Sequence, residues 1–158
     1  MKKKILITRK LLKENEDKLK ELFDVKLNVN DEIYTADKIL ELSKDCDGIL
    51  CAVTDKFNNE LINKLSPSIK IIANYAVGYG NIDVNAAKEK NIVVTNTPEV
   101  LDDSTADVSI LLLLGASRKV LEARRAAERQ DWKWSADFML GKQMSNKRLG
   151  ILGMGRIG

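Results

Sequence analysis

Three glycines stand within six residues at Gly153-Met154-Gly155-Arg156-Ile157-Gly158, directly after the apolar run Leu149-Gly150-Ile151-Leu152. A strand ending in such a turn can bend sharply and bring bare backbone against a phosphate, which the amino end of a following helix holds through its free N–H groups. The same spacing also fits a purely structural corner between strand and helix. A second glycine-bearing stretch, Asn74-Tyr75-Ala76-Val77-Gly78-Tyr79-Gly80-Asn81-Ile82-Asp83, also follows an apolar run. Gly78 and Gly80 let that loop aim its amides toward one point, a concavity suited to a carboxylate, just beyond the carboxyl end of the run. Leu50-Cys51-Ala52-Val53-Thr54-Asp55 closes the neighbouring run and should line the same crevice through Ala52 and Val53.

The chain contains no histidine, and therefore lacks the commonest general acid and base. Cys51 has no imidazole to activate it as a nucleophile. Cys46 and Cys51 are too few for a disulfide scaffold and lack partners for a zinc site, so they read as reduced core thiols of a cytoplasmic protein. No metal site and no catalytic residue are assigned within these residues.

The elements that must position the two glycine loops follow from periodicity. Five short apolar runs, Ile5-Leu6-Ile7, Val25-Lys26-Leu27, Gly48-Ile49-Leu50-Cys51, Ile69-Lys70-Ile71-Ile72-Ala73 and Ile92-Val93-Val94, begin 20 to 23 residues apart and read as strands. Between them lie helical patterns: an amphipathic stretch around Leu19 and Leu22, one capped by Thr35, one opened by Asn58 and one capped by Asp83. Strict alternation with near-continuous apolar strands implies a flavodoxin-like or Rossmann-like α/β fold, a doubly wound parallel sheet with helices on both faces. Beyond Val94 the rhythm changes. Thr97-Pro98-Glu99 reads as the start of a helix running to about Arg129, a loop over 130–146 carries both tryptophans, and Leu149–Leu152 reads as a sixth strand.

Composition removes several classes. Hydrophobic residues make up 44% and charged residues 31%, as in ordinary globular domains. The net charge of +3 comes from 26 basic and 23 acidic residues that are interleaved, and aromatics are only 5%, so nothing resembles a nucleic-acid-binding stripe. The longest apolar run, Val108 to Ala116, falls far short of the roughly 20 residues that span a bilayer. A phosphoacceptor receiver shares the five-fold alternation but needs acids after its first and third strands, where this chain has Ile7-Thr8-Arg9 and Cys51-Ala52-Val53.

Asn74 to Asp83, Val94-Thr95-Asn96-Thr97-Pro98, Ser104-Thr105-Ala106-Asp107 and Leu149 to Gly158 occur in the order and approximate spacing of the D-2-hydroxyacid dehydrogenase family. The whole chain resembles the amino-terminal part of such an enzyme, and Leu50 to Asp55 with the Trp132–Gly141 loop look most like its glyoxylate and hydroxypyruvate reductase branch. Ala52 stands where that branch often carries leucine. The resemblance implies a flavodoxin-like substrate-binding domain over residues 1–98. It implies that residues 99–158 comprise interdomain or dimerisation helices, a loop, and the first strand and glycine turn of a Rossmann NAD(P)-binding domain.

By the same resemblance the Val77 and Gly78 amides hold a substrate carboxylate beside Ala52 and Val53, and Trp134 reaches into a partner subunit's site. Val77 and Thr105 face the cofactor, NAD or NADP, whose pyrophosphate rests on Gly153, Gly155, Arg156, Ile157 and Gly158. The implied activity is hydride exchange between nicotinamide and a small 2-oxo acid or D-2-hydroxy acid in a homodimer. Its arginine, glutamate and histidine belong to the region after the glycine turn, so these 158 residues alone are expected to be inactive. The alternatives are a noncatalytic dimerisation or binding module and another branch of the family, such as phosphoglycerate dehydrogenase.

Overall fold

The computed structural model describes residues 1–158, which form two compact units, Met1–Val100 and Leu101–Gly158. In the first unit the order is β1 (Lys4–Ile7), α1 (Lys13–Leu22), β2 (Asp24–Lys26), α2 (Ala36–Ser43), β3 (Gly48–Ala52), α3 (Asn59–Lys64), β4 (Ile71–Tyr75), α4 (Val84–Glu89) and β5 (Val93–Thr95). The five strands make one parallel sheet in the order β2-β1-β3-β4-β5. This is the doubly wound, flavodoxin-like arrangement anticipated from the alternation.

Side-chain alternation divides the sheet into two faces. Leu6, Ile49, Cys51 and Ile72 turn to one face, where they join Ile39 of α2, Leu61 and Ile62 of α3, and Ala86 and Ala87 of α4 in a closed core around Phe57. Ile5, Leu50, Ile71 and Ala73 turn to the other and line, with Leu19 of α1 and Phe23 just after it, an apolar trough of about 420 Å³. Three helices thus seal one face while one lies across the other. The sealing helices start where short polar side chains take a free amide: Thr35 accepts from Lys38 N, Asn58 from Leu61 N and Asp83 from Ala86 N.

In the second unit α5 (Asp102–Ser117) and α6 (Val120–Arg129) lie in place of the single long helix expected from Thr97 to Arg129. Thr97 caps nothing; its amide instead donates to Ala76 O at 2.9 Å, and Glu99 takes a left-handed φ of 66° before the helix begins. The break at Arg118-Lys119 is held by the later loop. Lys142 N donates to Ser117 O at 2.7 Å, and a Cβ on Gly141 would lie 2.7 Å from that same oxygen, so glycine is required for the approach. Leu149–Leu152 is not a strand. The second unit holds no other strand, and a strand needs a neighbour to pair with its backbone.

Candidate functional site

In a sheet of this order the chain leaves β1 toward one edge and β3 toward the other, so a crevice opens at their carboxyl ends. The residues there are polar yet buried: Thr8 after β1, Asn74 in β4 and Asp55 after β3, with Asn28 close by. Buried polar groups persist only where they are hydrogen-bonded, and here their bonds shape two backbone segments.

The first segment is the Val77–Gly78 loop. Three successive carbonyls are drawn inward: Ala76 O accepts from Thr97 N at 2.9 Å, Val77 O from Asn96 Nδ2 at 2.8 Å and Gly78 O from Asn74 Nδ2 at 2.9 Å. Every peptide in the chain is trans, so each N–H is antiparallel to the carbonyl of the same unit. The amides of Val77, Gly78 and Tyr79 therefore face away from those three donors. Successive amides presented in this way suit an oxyanion. A Cβ at Gly78 or Gly80 would meet nothing within 4 Å, so neither glycine is demanded by crowding in the loop itself.

The second segment is the turn Ala52–Asp55, where Asp55 N donates to Ala52 O at 3.0 Å. The Asp55 carboxylate folds back on the same turn, its Oδ2 accepting from Ala52 N at 2.9 Å and from Thr8 Oγ1 at 2.6 Å. Ala52 thus spends its own amide inside the protein, whereas the Val53 side chain stands 62% exposed at the turn's outer corner. Arg9 braces the turn from the side, donating from Nη1 to Thr54 Oγ1 at 2.8 Å while Nε and Nη2 grip Asp31. That guanidinium, with the Lys10 amide, holds the Asp31 carboxyl well below the usual carboxylate range. Burial, with the Asp55 charge as a lesser cause, pushes the Cys51 thiol up to about 12, so it stays a neutral core group rather than a nucleophile.

The remaining expected contacts lie in the second unit. Thr105 donates from Oγ1 to Leu101 O at 2.8 Å and so serves its own helix. Trp134 is 81% exposed, while its neighbour Trp132 stacks on Phe138 with centroids 5.5 Å apart. Gly153 has a φ of +96°, and a Cβ on Gly158 would fall 2.3 Å from Gly153 O, so the glycine turn is tight and depends on glycine. Gly153, Gly155, Arg156, Ile157 and Gly158 are exposed, and no strand precedes them.

Thr8, Arg9, Asp55, Asn74 and Asn81 shape the crevice but carry no role in the reading of the sequence. Asn74 and Asn81 flank the glycine loop symmetrically, and amide side chains placed there are a usable signal for a loop whose carbonyls must be held.

A family profile described as "D-isomer specific 2-hydroxyacid dehydrogenase, catalytic domain" matches residues 5–146. A glyoxylate reductase of Korarchaeum cryptofilum is 40% identical over 160 residues, covering 100% of this chain and 48% of that protein. Among solved structures, a protein of Polaromonas sp. JS6 66 named as a D-isomer specific 2-hydroxyacid dehydrogenase, NAD-binding, superposes with a TM-score of 0.92 at 35% identity, covering 100% of this chain and 50% of that one. An NADPH-dependent glyoxylate/hydroxypyruvate reductase from Sinorhizobium meliloti, in complex with NADP and malonate, gives a TM-score of 0.80 at 31% identity, covering 100% and 48%. The chain spans about half the length of the curated relatives it matches.

Proposed function

Because this chain belongs to the D-isomer-specific 2-hydroxyacid dehydrogenase family, we propose that it supplies the substrate-holding part of an NAD(P)-dependent oxidoreductase. The reaction interconverts a small 2-oxo acid of the glyoxylate or hydroxypyruvate type and the corresponding D-2-hydroxy acid. One observation carries this reading: the inward hold on the Ala76, Val77 and Gly78 carbonyls, which turns the amides of Val77, Gly78 and Tyr79 outward beside the Ala52–Asp55 turn.

The carboxylate of the acid accepts from the Val77 and Gly78 amides, while Val53 packs against its carbon skeleton and Ala52 leaves room beside it. The nicotinamide supplies or removes the hydride when bound. With no histidine among the 158 residues, no imidazole here can protonate the developing oxyanion, and the chain is expected to oxidise no NADH with glyoxylate. The domain reading stands with the same proposal, residues 1–98 for substrate and 99–158 for the interdomain helices, loop and cofactor turn. So do a cytoplasmic location, for which two free buried thiols speak, and the roles of Thr105 and Trp134 beside cofactor and partner.

A carboxylate titration tests it. Oxalate added to the ¹⁵N-labelled chain should move the amide resonances of Val77, Gly78 and Tyr79 together and saturably. No response there, or a response scattered over surface lysines, overturns the reading.

A homodimer is proposed on a separate observation. No helix is long and apolar enough to cross a membrane, yet α5 exposes Val108 and Ile110 through Leu114 around its surface. Apolar helix surface of that extent is a docking face. Sedimentation should give twice the monomer mass, and Leu112→Glu should return it to one; an unmodified chain that runs as a monomer sinks the dimer without touching the carboxylate reading.

A further inference from the structure

The two walls of the crevice are joined by a pair of side-chain amides. Asn74 Nδ2 donates to Asn81 Oδ1 at 3.1 Å, and Asn81 Nδ2 donates back to Asn74 Oδ1 at 3.3 Å. Each carboxamide has a second N–H pointing outward from this ring. That of Asn74 reaches Gly78 O at 2.9 Å, in the glycine loop. That of Asn81 lies between Asp55 O at 3.0 Å and Ala52 O at 3.2 Å, the two ends of the β3 turn. Two of the four donor hydrogens thus close the ring and the other two meet acceptors on the two walls, and no other side chain bonds to both. The backbone of Asn81 is itself fixed, its carbonyl accepting from Phe57 N at 2.8 Å.

Holding a carbonyl also sets the amide behind it. With trans peptides, Asn81 on Ala52 O sends the Val53 N–H outward, and Asn74 on Gly78 O sends the Tyr79 N–H outward. We propose that Asn74 and Asn81 are a positioning pair that fixes the Val53 turn and the Val77–Tyr79 loop as one rigid receiver for the substrate carboxylate. Neither residue touches the substrate; each acts through the backbone it holds. The inference rests on the carboxylate reading above, and it adds that the two walls respond to a ligand as one body.

The test follows oxalate binding by amide resonances in the full 158-residue chain. In the unmodified chain Val53 should shift with the same dissociation constant as Val77, Gly78 and Tyr79. Asn81→Ala should weaken oxalate about tenfold, in line with loosened hydrogen bonds to a charged group, and should abolish the Val53 response while the glycine-loop response persists. Asn81→Asp separates donor from charge. At neutral pH it faces the Ala52 and Asp55 carbonyls with a carboxylate and binds poorly. At acid pH the protonated carboxyl donates again, and its affinity should return toward that of the unmodified chain while Asn81→Ala, equally uncharged there, stays weak. A role in stability alone would move both variants in parallel at acid pH, and that result overturns the proposal. So does an Asn81→Ala chain that binds within twofold of the original. Should Asn81→Ala fail to fold, Asn81→Ser, whose hydroxyl is too short to span both walls, carries the same expectations. Absence of any oxalate response in the unmodified chain strikes the carboxylate reading instead, so the two failures are distinct.

Discussion

The two units solve the same physical problem unequally. Residues 1–100 bury Leu6, Ile49, Phe57, Ile62 and Ile72 almost completely, and α2, α3 and α4 each begin at a side-chain cap. Residues 101–158 bury only the small side chain of Ala126, and neither α5 nor α6 has a side-chain cap. The leucines of α5 are as apolar as anything in the core, so composition does not separate the units. What separates them is alternation. In the first unit strands and helices come in turn, and each apolar stripe finds a partner within some 25 residues of chain. In the second, two helices and a loop have no sheet of their own unit to cover, and the apolar side chains of α5 are left exposed.

The contrast should be largest in the core. Phe57→Ala removes a fully buried ring and should cost about 3–5 kcal/mol, enough to unfold much of the first unit, whereas Leu111→Ala, at a position 67% exposed, should change urea stability of the monomer by under ~0.5 kcal/mol. Equal effects would mean that the units share one core. Glycine gives the next largest split, and here the signs should differ. At Gly48 a Cβ would lie 2.8 Å from Ile71 Cγ2, in the tight β3–β4 contact, so Gly48→Ala should destabilise by about 1–3 kcal/mol. At Gly115, in the last turn of α5, the nearest heavy atom would be 3.9 Å away, so Gly115→Ala should stabilise that helix by up to about 1 kcal/mol. Thermal unfolding followed by circular dichroism reads both. A smaller loss, about 1 kcal/mol, is expected for Asn58→Ala, which leaves the Leu61 amide without its cap and so weakens a device the second unit lacks. Hydrogen exchange at Leu61 should quicken, and an unchanged rate there would count against the cap.

How much was legible beforehand follows the same division. The five strands and the caps Thr35, Asn58 and Asp83 come from short-range rules, period and side-chain reach, that need no knowledge of the rest of the chain. The long helix and sixth strand expected after Val94 went wrong because what decides them is not local. A left-handed Lys119 is set by Lys142 returning to Ser117 O, and the strand reading of Leu149–Leu152 presumed a pairing partner that this unit does not contain. In the crevice, Gly78 and Val53 were legible as backbone that could meet a ligand. Asn74, Asn81 and Asp55 were not, since their work is to hold carbonyls and amides whose positions only the folded sheet defines.

The weakest test of the contrast lies at the rim of the first unit, where Arg9 and Asp31 hold a loop at the crevice edge. The Arg9 fork and the Lys10 amide depress the Asp31 pKa in the folded chain, while the unfolded chain keeps a value near about 3.9. A depressed folded pKa adds stability that is complete above the unfolded value and disappears as pH falls through the folded one. Below about pH 4 the unfolded chain takes up the proton first, so acid should erode this contribution. Asn is the natural probe, because Asp31 sits at a φ of 55° that Asn tolerates well and Asn still accepts from Lys10 N. Urea midpoints of the original chain should therefore fall more steeply than those of Asp31→Asn between about pH 4 and pH 2, and the gap should shrink in high salt because the pair is exposed to solvent. Parallel curves would show that the fork is geometry without linkage, leaving Thr54 and the β3 turn dependent on Thr8, Asp55 and Asn81 alone.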